Sequence, residues 1–561
     1  MKIFIRITLI ILLSQMMTFP ILAQKLPGDD IILKAMQDEL NRNMTDLFLP
    51  NFDKPFFIMY GVLDQKTYSV VANLGSLTQS AENPQRFKTT TRVLVGDYTF
   101  NDESLDDNLF SAATPFDIGL PLDDDYYGIR RGLWSTTDNV YRDATRHFAE
   151  HKETVKESGK VLADIPHRSF TKSEPVKFIS SVTPYAFDRA AWEEKARTLS
   201  ALFLHHSSIV NSGVVIQYSE GHNYLVSSEG TVVKVPFRVV TFMALGQSKN
   251  NNGEFSMDQV VHYASTPAQL PPDQQLATEI TDMIAKIEAD STTPKFDDEY
   301  TGPVLLIGSA VASVFSSVLF DGRESLRANH NISRLTGFQF NEGVTSMDGK
   351  IGKPILHESV SVKLKPKLKS FNGTDLLGSF EIDAEGMIPP DELLVVDKGI
   401  LKNLLNDRTI TQPTQKANGF SSGPGVIEVT IAQKDSEAVL KEKLIAQAKR
   451  DGLDYAIIVR NVSTLGMGMG MLDVYKVSLT DGREQRQKNA IMNQANLKIL
   501  KHILGASDQY HAYNLGGGGY NLGARLTSVI APESVLLEEM QIQPSRMPSL
   551  KEEDYVSSPL K

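Results

Sequence analysis

Residues 301–320 (TGPVLLIGSAVASVFSSVLF) carry no charge over a length that would span a bilayer. Such a run must be withdrawn from water, into lipid or into a protein core. Four serines and two glycines dilute it, and Asp297, Asp298, Glu299 and Asp321 flank it. We read it as a buried strand, 304–307, leading into a helix on which Ala310, Val311, Val314, Phe315, Val318 and Leu319 recur at helical spacing. A membrane span is the alternative. The chain of 561 residues is 41% hydrophobic and 22% charged, ordinary globular values. Roughly 100–200 residues per domain then gives two to four domains around such a core.

The start of the chain reads as a secretory leader. Lys2 and Arg6 open it, 7–17 are apolar, and Pro20 and Ile21-Leu22-Ala23 lead to a cut after Ala23 or Gln24. The apolar run is shorter than the ~20 residues a spanning helix needs. We expect a signal peptide at 1–24, a periplasmic or secreted protein, and no membrane association after cleavage.

The 57 Lys and Arg against 68 Asp and Glu give −11, and removing Lys2 and Arg6 leaves 55 against 68, or −13. That sign argues against nucleic-acid binding, which needs basic surface. Zero cysteines exclude disulfides, thiolate zinc, iron–sulfur clusters and a cysteine nucleophile. Any metal must be held by His, Asp or Glu.

Helices are expected at 30–47, with Ile31, Ile32, Met36, Leu40 and Met44 on one face, and at 138–158, 188–204 and 271–290. Strands are expected at 55–63, 68–74, 91–100, 213–218, 224–227 and 232–245, with an irregular Asp/Asn-rich stretch at 101–125. The best boundary is Ser291-Thr292-Thr293-Pro294. Beyond it the chain is strand-rich, at 359–364, 393–396, 426–431, 455–462 and 473–479. One clear helix spans 436–450, with Asp435 or Ser436 as cap and Gly452 past its end. We expect an α+β protein: an N-terminal α/β domain at 25–295, a β-rich C-terminal domain at 296–547, and a loose tail at 548–561.

Several segments resemble the TldD/PmbA family of bacterial metallopeptidases and their non-catalytic partners. They are Gly302-Pro303-Val304-Leu305-Leu306; Gly378-Ser379-Phe380-Glu381-Ile382-Asp383-Ala384-Glu385-Gly386; 396–405, ending in Asn406-Asp407-Arg408; Gly516 to Gly519; and 529–536. In the first half, Thr91-Arg92-Val93-Leu94-Val95-Gly96-Asp97 and Ser227-Ser228-Glu229-Gly230-Thr231 add to the likeness. It covers most of the chain, and the order of the motifs makes it specific. The resemblance implies a C-terminal domain of TldD/PmbA type. It also implies an HExxxH motif after the "GxVLL" strand, where two His and a third ligand hold zinc and Glu activates water. Here Ile307 and Gly308 stand at the His-Glu positions and Ala312 at the second His. The Cys that serves as third ligand in catalytic members has no counterpart. This is the pattern of the partner subunit, so no cofactor is expected on this chain and zinc would belong to a TldD-like sibling. A homodimer is the other assembly the resemblance allows, around a peptide-sized cavity.

Other constellations have competing readings. His147-Phe148-Ala149-Glu150-His151 spells the inverted zinc motif, with His147 and His151 as ligands and Glu150 as base. Its neighbours Arg142, Asp143, Arg146, Lys152, Glu153, Lys156 and Glu157 suit a solvated helix face. His357-Glu358 lacks a second His. His205-His206 ends a helix, where dipole or cap roles suffice. Gly419-Phe420-Ser421-Ser422-Gly423 spells GxSxG but lacks the flanking strand and helix of a nucleophile elbow. Asp383 and Glu385 form part of a peptide-binding or metal-adjacent wall, or a tight acidic turn closed by Gly386. Gly516, Gly517, Gly518 and Gly519 permit close backbone approach to an extended substrate. The alternating Gly and Met of 466–471 suits an adaptable interface or a core-facing turn. The function expected is that of a non-catalytic subunit of a peptidase acting on unfolded peptides. A peptide-binding or scaffolding protein, or a zinc peptidase using His147, Glu150 and His151, are the alternatives.

Overall fold

The computed structural model describes residues 30–105, 119–165, 167–249, 255–322, 324–327, 347–411, 415–465, 469–492, 496–516 and 526–545. The leader at 1–24 and the tail at 548–561 lie outside them.

In the first half, the elements are α1 (Ile31–Asp46), β1 (Pro55–Asn73), β2 (Ser76–Val95), α2 (Tyr126–Glu157), β3 (Ser169–Phe170), β4 (Lys177–Ile179), α3 (Arg189–Ser200), β5 (Ile209–Ser227), β6 (Val232–Lys249), β7 (Phe255–Ala264) and α4 (Asp273–Ala289). Six strands form one sheet in the order β2-β1-β5-β6-β4, with β7 also on β6. All its pairs are antiparallel except β4–β6. The 19 residues of β1 extend about 60 Å at ~3.3 Å per residue, long enough to carry two cores. Near its start, Ile58, Tyr60 and Val62 pack under α1 and α2; further along, Val70 and Ala72 pack under α3 and α4. The alternate residues Phe57 and Met59 face the other way, toward Ile382 of the second half.

Two expectations are corrected by the structure. The separate strands expected at 55–63 and 68–74, and at 213–218 and 224–227, are the single strands β1 and β5. Ladder hydrogen bonds on both sides hold polar 219–223 extended, and Gly221 lets β1 approach: a Cβ there would stand 2.1 Å from the Asp64 carbonyl oxygen. The helix expected from 138 begins at Tyr126, capped by Asp125, whose carboxylate accepts from the Tyr127 and Gly128 amides. Burial of Ile129, Leu133 and Thr137 outweighs the weak helix propensity of its Gly and Thr residues. On α1, Met36 and Leu40 are core as expected, but Ile31 is exposed and buried Asn43 joins Tyr60 and Thr137 in a hydrogen-bonded chain.

The second half holds β8 (Tyr300–Ile307), α5 (Ser309–Ser316), β9 (Val360–Leu364), β10 (Ser370–Phe371), β11 (Thr374–Asp375), β12 (Leu393–Asp397), β13 (Ile400–Leu401), β14 (Thr409–Ile410), β15 (Val426–Ile431) and α6 (Glu437–Arg450). Then come β16 (Tyr455–Leu465), β17 (Met469–Ser478), β18 (Glu484–Met492), β19 (Ile503–Ala506), β20 (Tyr510–Leu515), β21 (Thr527–Pro532) and β22 (Ser534–Pro544). One sheet runs β13-β12-β9-β15-β21-β20. Another runs β18-β17-β16-β8-β22-β19, and β22 also pairs with β18, so that five strands close on themselves. Closure leaves those strands no open edge.

The uncharged run 301–320 is the buried β8 and α5. The helix continues through a π-helical turn at Ser317–Asp321 and packs against strands of both sheets. It is apolar on nearly every side because it is enclosed on nearly every side. No helix among the described residues is long and apolar enough to cross a membrane. Alternation along β8 sends Val304 and Leu306 into the core shared with α5, and Leu305 and Ile307 toward α6.

Candidate functional site

At the end of β8 the chain passes through Gly308, with φ +64° and ψ −132°, before α5 begins. This is a backbone region essentially reserved for glycine. Ile307 packs with Leu440 and Leu444 on the α6 side, whereas Ala312 is wholly buried in the core between the sheets. The three positions at which the resemblance places His, Glu and His therefore carry no ligand, do not share a face, and include one that strains any side chain. They do not fit zinc. Among the described residues, no three His, Cys, Asp or Glu side chains gather as metal ligands.

The inverted motif on α2 is divided between two environments. His151 is buried beside Phe100, its Nδ1 3.2 Å from the Asn101 carbonyl oxygen, and His147 is half-buried. Glu150 points to solvent, 62% exposed, with Arg146 at 3.9 Å. Of the remaining histidines singled out, His206 Nδ1 faces Glu288 at 3.0 Å and His357 Nδ1 faces the Ser359 hydroxyl at 2.8 Å. The GxSxG segment is a loop running into β15. There the Ser421 hydroxyl accepts from the Glu385 amide at 3.2 Å, and no helix follows it. Gly516 lies against β7: a Cβ would stand 2.1 Å from the Tyr263 hydroxyl oxygen. Gly517, Gly518 and Gly519 lie outside the described residues, as do 466–468.

Asp383 and Glu385 sit at the junction of the two halves. Asp383 folds its turn inward, its Oδ1 accepting from the Glu385 and Met387 amides at 3.0 and 2.8 Å and its Oδ2 from the Ser421 amide at 3.2 Å. Gly386, at φ +81°, brings the turn onto the N-terminal sheet, where a Cβ would meet Thr231 Cγ2 at 2.8 Å. Glu385 then receives hydrogen bonds from Arg92 Nη1 and the Arg408 amide, both at 2.7 Å. Arg92 also donates to Glu103 and to the Thr409 hydroxyl. The Arg408 guanidinium, 1% exposed, pairs with Glu229 at 2.7 Å and donates to the Thr171 carbonyl. It stacks on Phe170 at 4.2 Å and lies over Phe57 at 5.0 Å. The Tyr98 hydroxyl donates to Glu229 at 2.8 Å.

Charge and burial oppose each other in this cluster. Burial pushes the Asp383 carboxyl up, against its three amide donors. Burial also raises Glu385, against Arg92. Asp102, next to Glu103, is driven well above the ordinary carboxylate range by burial and then by Glu103. Burial would lower Arg92, but the pull of Glu103 and Glu385 outweighs it and the guanidinium is held more firmly charged.

Sequence reasoning singles out Asp383 and Glu385 but not Arg92, Glu229 and Arg408. A signal is present: each lies in one of the short segments that carry the family resemblance (91–97, 227–231 and 406–408), and the structure brings all of them against the acidic turn.

Residues 303–544 match the family model described as the PmbA/TldA metallopeptidase C-terminal domain. No curated protein sequence matches the chain. Among solved structures, a candidate modulator of DNA gyrase from Bacteroides thetaiotaomicron is similar with a TM-score of 0.57 at 10% identity, covering 91% of this chain and 98% of its own. A candidate modulator of a DNA gyrase from Thermotoga maritima gives 0.51 at 13% identity, over 87% and 96%. TldE from Thermococcus kodakarensis gives 0.51 at 11%, over 91% and 99%. At these identities the structural likeness speaks for the fold, and the family model for the C-terminal domain. Residues 303–544 thus form a domain of the PmbA/TldA metallopeptidase C-terminal family, and the chain along its length has the α+β fold of these solved structures.

Proposed function

We propose that this chain is an exported, non-catalytic subunit that pairs with an HExxxH-bearing sibling to act on unfolded peptides, the sibling supplying the zinc. The observation that supports this most directly is the end of β8. There Ile307, Gly308 and Ala312 replace every group that a zinc hydrolase needs, in a backbone that cannot bring those positions together. The leader-like start, with its cut near Ala23 or Gln24, supports a periplasmic location. In this reading the chain has two working domains, 25–295 and 296–547, clamped by the ionic junction. That junction serves to hold the halves in register rather than to bind peptide.

The test is metal content per chain, with peptide cleavage, on protein purified from its own periplasm without added zinc, alone and with whatever sibling co-purifies. The expected result is no zinc on the isolated chain, and chelator-sensitive cleavage of unfolded peptides only in the complex. About one zinc per isolated chain, with cleavage that a chelator abolishes, would overturn the proposal and return attention to His147 and His151.

A further inference from the structure

Strand alternation divides the charge of the N-terminal sheet unequally between its two faces. Asp64, Lys66, Glu220, His222, Arg238 and Asp258 share the parity of Val62, Tyr218 and Val240, which pack beneath the helices. The opposite parity carries no Asp, Glu, Lys, Arg or His over 63–71 of β1, 213–225 of β5, 235–247 of β6 or 257–263 of β7. A solvated sheet face ordinarily presents charged and polar side chains in alternation with the core.

The second half meets this uncharged face at two places. A Cβ on Gly386 would stand 3.0 Å from Leu225 Cδ2, and Gly516 comes so close to the Tyr263 hydroxyl that a Cβ there would find no room. Leu225 pairs with Val233 and Tyr263 with Thr241, so the contacts fall ~26 Å apart along β6 at ~3.3 Å per residue. Between and beside them the face is only half-covered. Val215, Phe237, Val239, Met243, Leu245 and Val261 are half-buried and belong to none of the hydrophobic cores of the described residues. Met257, at the β7 edge, is 43% exposed.

A contiguous accessible apolar strip rimmed by amides and hydroxyls marks a place where another molecule is bound. Its occupant is narrow, because the second half comes down on the face at both contacts and a flat partner surface would have to clear them. One extended chain needs only the ~10 Å that separates stacked sheets. The occupant is also uncharged. Gln217, Asn223, Thr241 and Gln259 offer donors and acceptors to backbone amides, and the aliphatic residues offer contact to small side chains. A Lys or Glu brought against the face would be desolvated with no counter-charge.

We propose that this face of β5, β6 and β7 holds an extended, uncharged stretch of polypeptide, roughly eight residues long, and turns charged stretches away. This rests on the peptide-handling reading above and names the class of peptide that the chain accepts.

The test uses the full mature chain and an octapeptide of Gly, Ser, Val and Gln with both ends blocked. Three forms are titrated by calorimetry: uncharged, with one central Glu, and with one central Lys. The uncharged form is expected to bind at least ~10-fold more tightly than either charged form. Val239→Lys should weaken the uncharged form at least ~10-fold and make the Glu form the tightest of the three, while Val239→Thr should leave the order as it is. Thr241→Lys repeats the test on the same face should Val239→Lys lose its melting transition. Equal binding of the three forms overturns the exclusion of charge, and an order unmoved by either lysine overturns the placing on this face; both leave peptide handling standing. Binding of none, by the chain alone or with its sibling, overturns that reading as well. A parent chain that sediments as a dimer, and as a monomer in Val239→Lys, overturns the proposal in favour of a second copy as occupant.

Discussion

The ionic junction between the two halves and the helix after β8 are both buried, yet they are built from opposite materials. At the junction, Arg92, Arg408, Glu103, Glu229 and Glu385 are withdrawn from water and answered by one another, by backbone amides and by aromatic faces. Around α5, Val311, Phe315, Val318 and Leu319 are withdrawn from water with nothing to answer. The first arrangement specifies geometry, because each charge tolerates only partners at particular distances and angles. The second supplies stability without direction. A metallopeptidase-type fold has kept polar precision where its halves meet and apolar packing where the resemblance places a metal.

The largest expected effect breaks the junction. Arg408→Ala leaves Glu229 buried and stripped of its guanidinium, and should cost about 3–5 kcal/mol in urea unfolding. Replacing both members, Arg408→Met with Glu229→Gln, should recover much of that loss. A single substitution costing under about 1 kcal/mol would show that the junction is solvated. Next is an attempt to make the helix region resemble the junction. Installing His at 307, Glu at 308 and His at 312 should bring no stoichiometric zinc by elemental analysis. It should also destabilise the protein by about 2 kcal/mol or more, since two large polar groups enter a packed core and Gly308 is strained. One zinc per chain in that variant would mean that the backbone there rearranges readily.

A smaller effect comes from Gly386→Ala, which forces a Cβ toward Thr231 and Leu225 at positive φ. It should cost about 1–3 kcal/mol and increase protease nicking between the halves. The smallest effect is one of pH. Burial raises the Asp102 carboxyl in the folded protein above its ordinary value of 3.8. Its contribution to stability is therefore complete below about pH 3.8 and is lost as pH rises through the raised folded value. Asp102→Asn, which can still accept from the Val95 amide, should be more stable than the parent at pH 7 and equal to it near pH 3.8. A variant that is less stable at pH 7 would show that the charged form is the favoured one.

Much of this architecture is legible in the order of residues. The helix at 436–450, the strands at 426–431 and 360–364, and the identity of 301–320 as strand then helix follow from spacing and capping residues alone. These are short-range properties: apolar period, an N-cap serine, a terminating glycine. The long strands β1 and β5 read as broken along the sequence, since Ser219, Glu220, Gly221, His222 and Asn223 argue locally for a turn. Only pairing with β1 and β6 keeps those residues extended. Of the candidate site, Asp383 and Glu385 stand out as acidic residues in a family segment, but their partners do not. Arg92 is 293 residues away from Glu385 along the chain, and Glu229 is 179 away from Arg408.

The sequence by itself therefore determined the helix at 436–450, the short strands around it and the buried strand-then-helix at 301–320, that any metal site must be built without thiolates, and that Ile307, Gly308 and Ala312 carry no ligand. Those are statements about residue chemistry and about neighbours within a few positions. The tertiary structure alone decided that four separated segments close one ionic junction, and that Ile307 and Ala312 face different cores. Each of these depends on which distant groups desolvate one another, a property that belongs to the packed chain and to no segment of it.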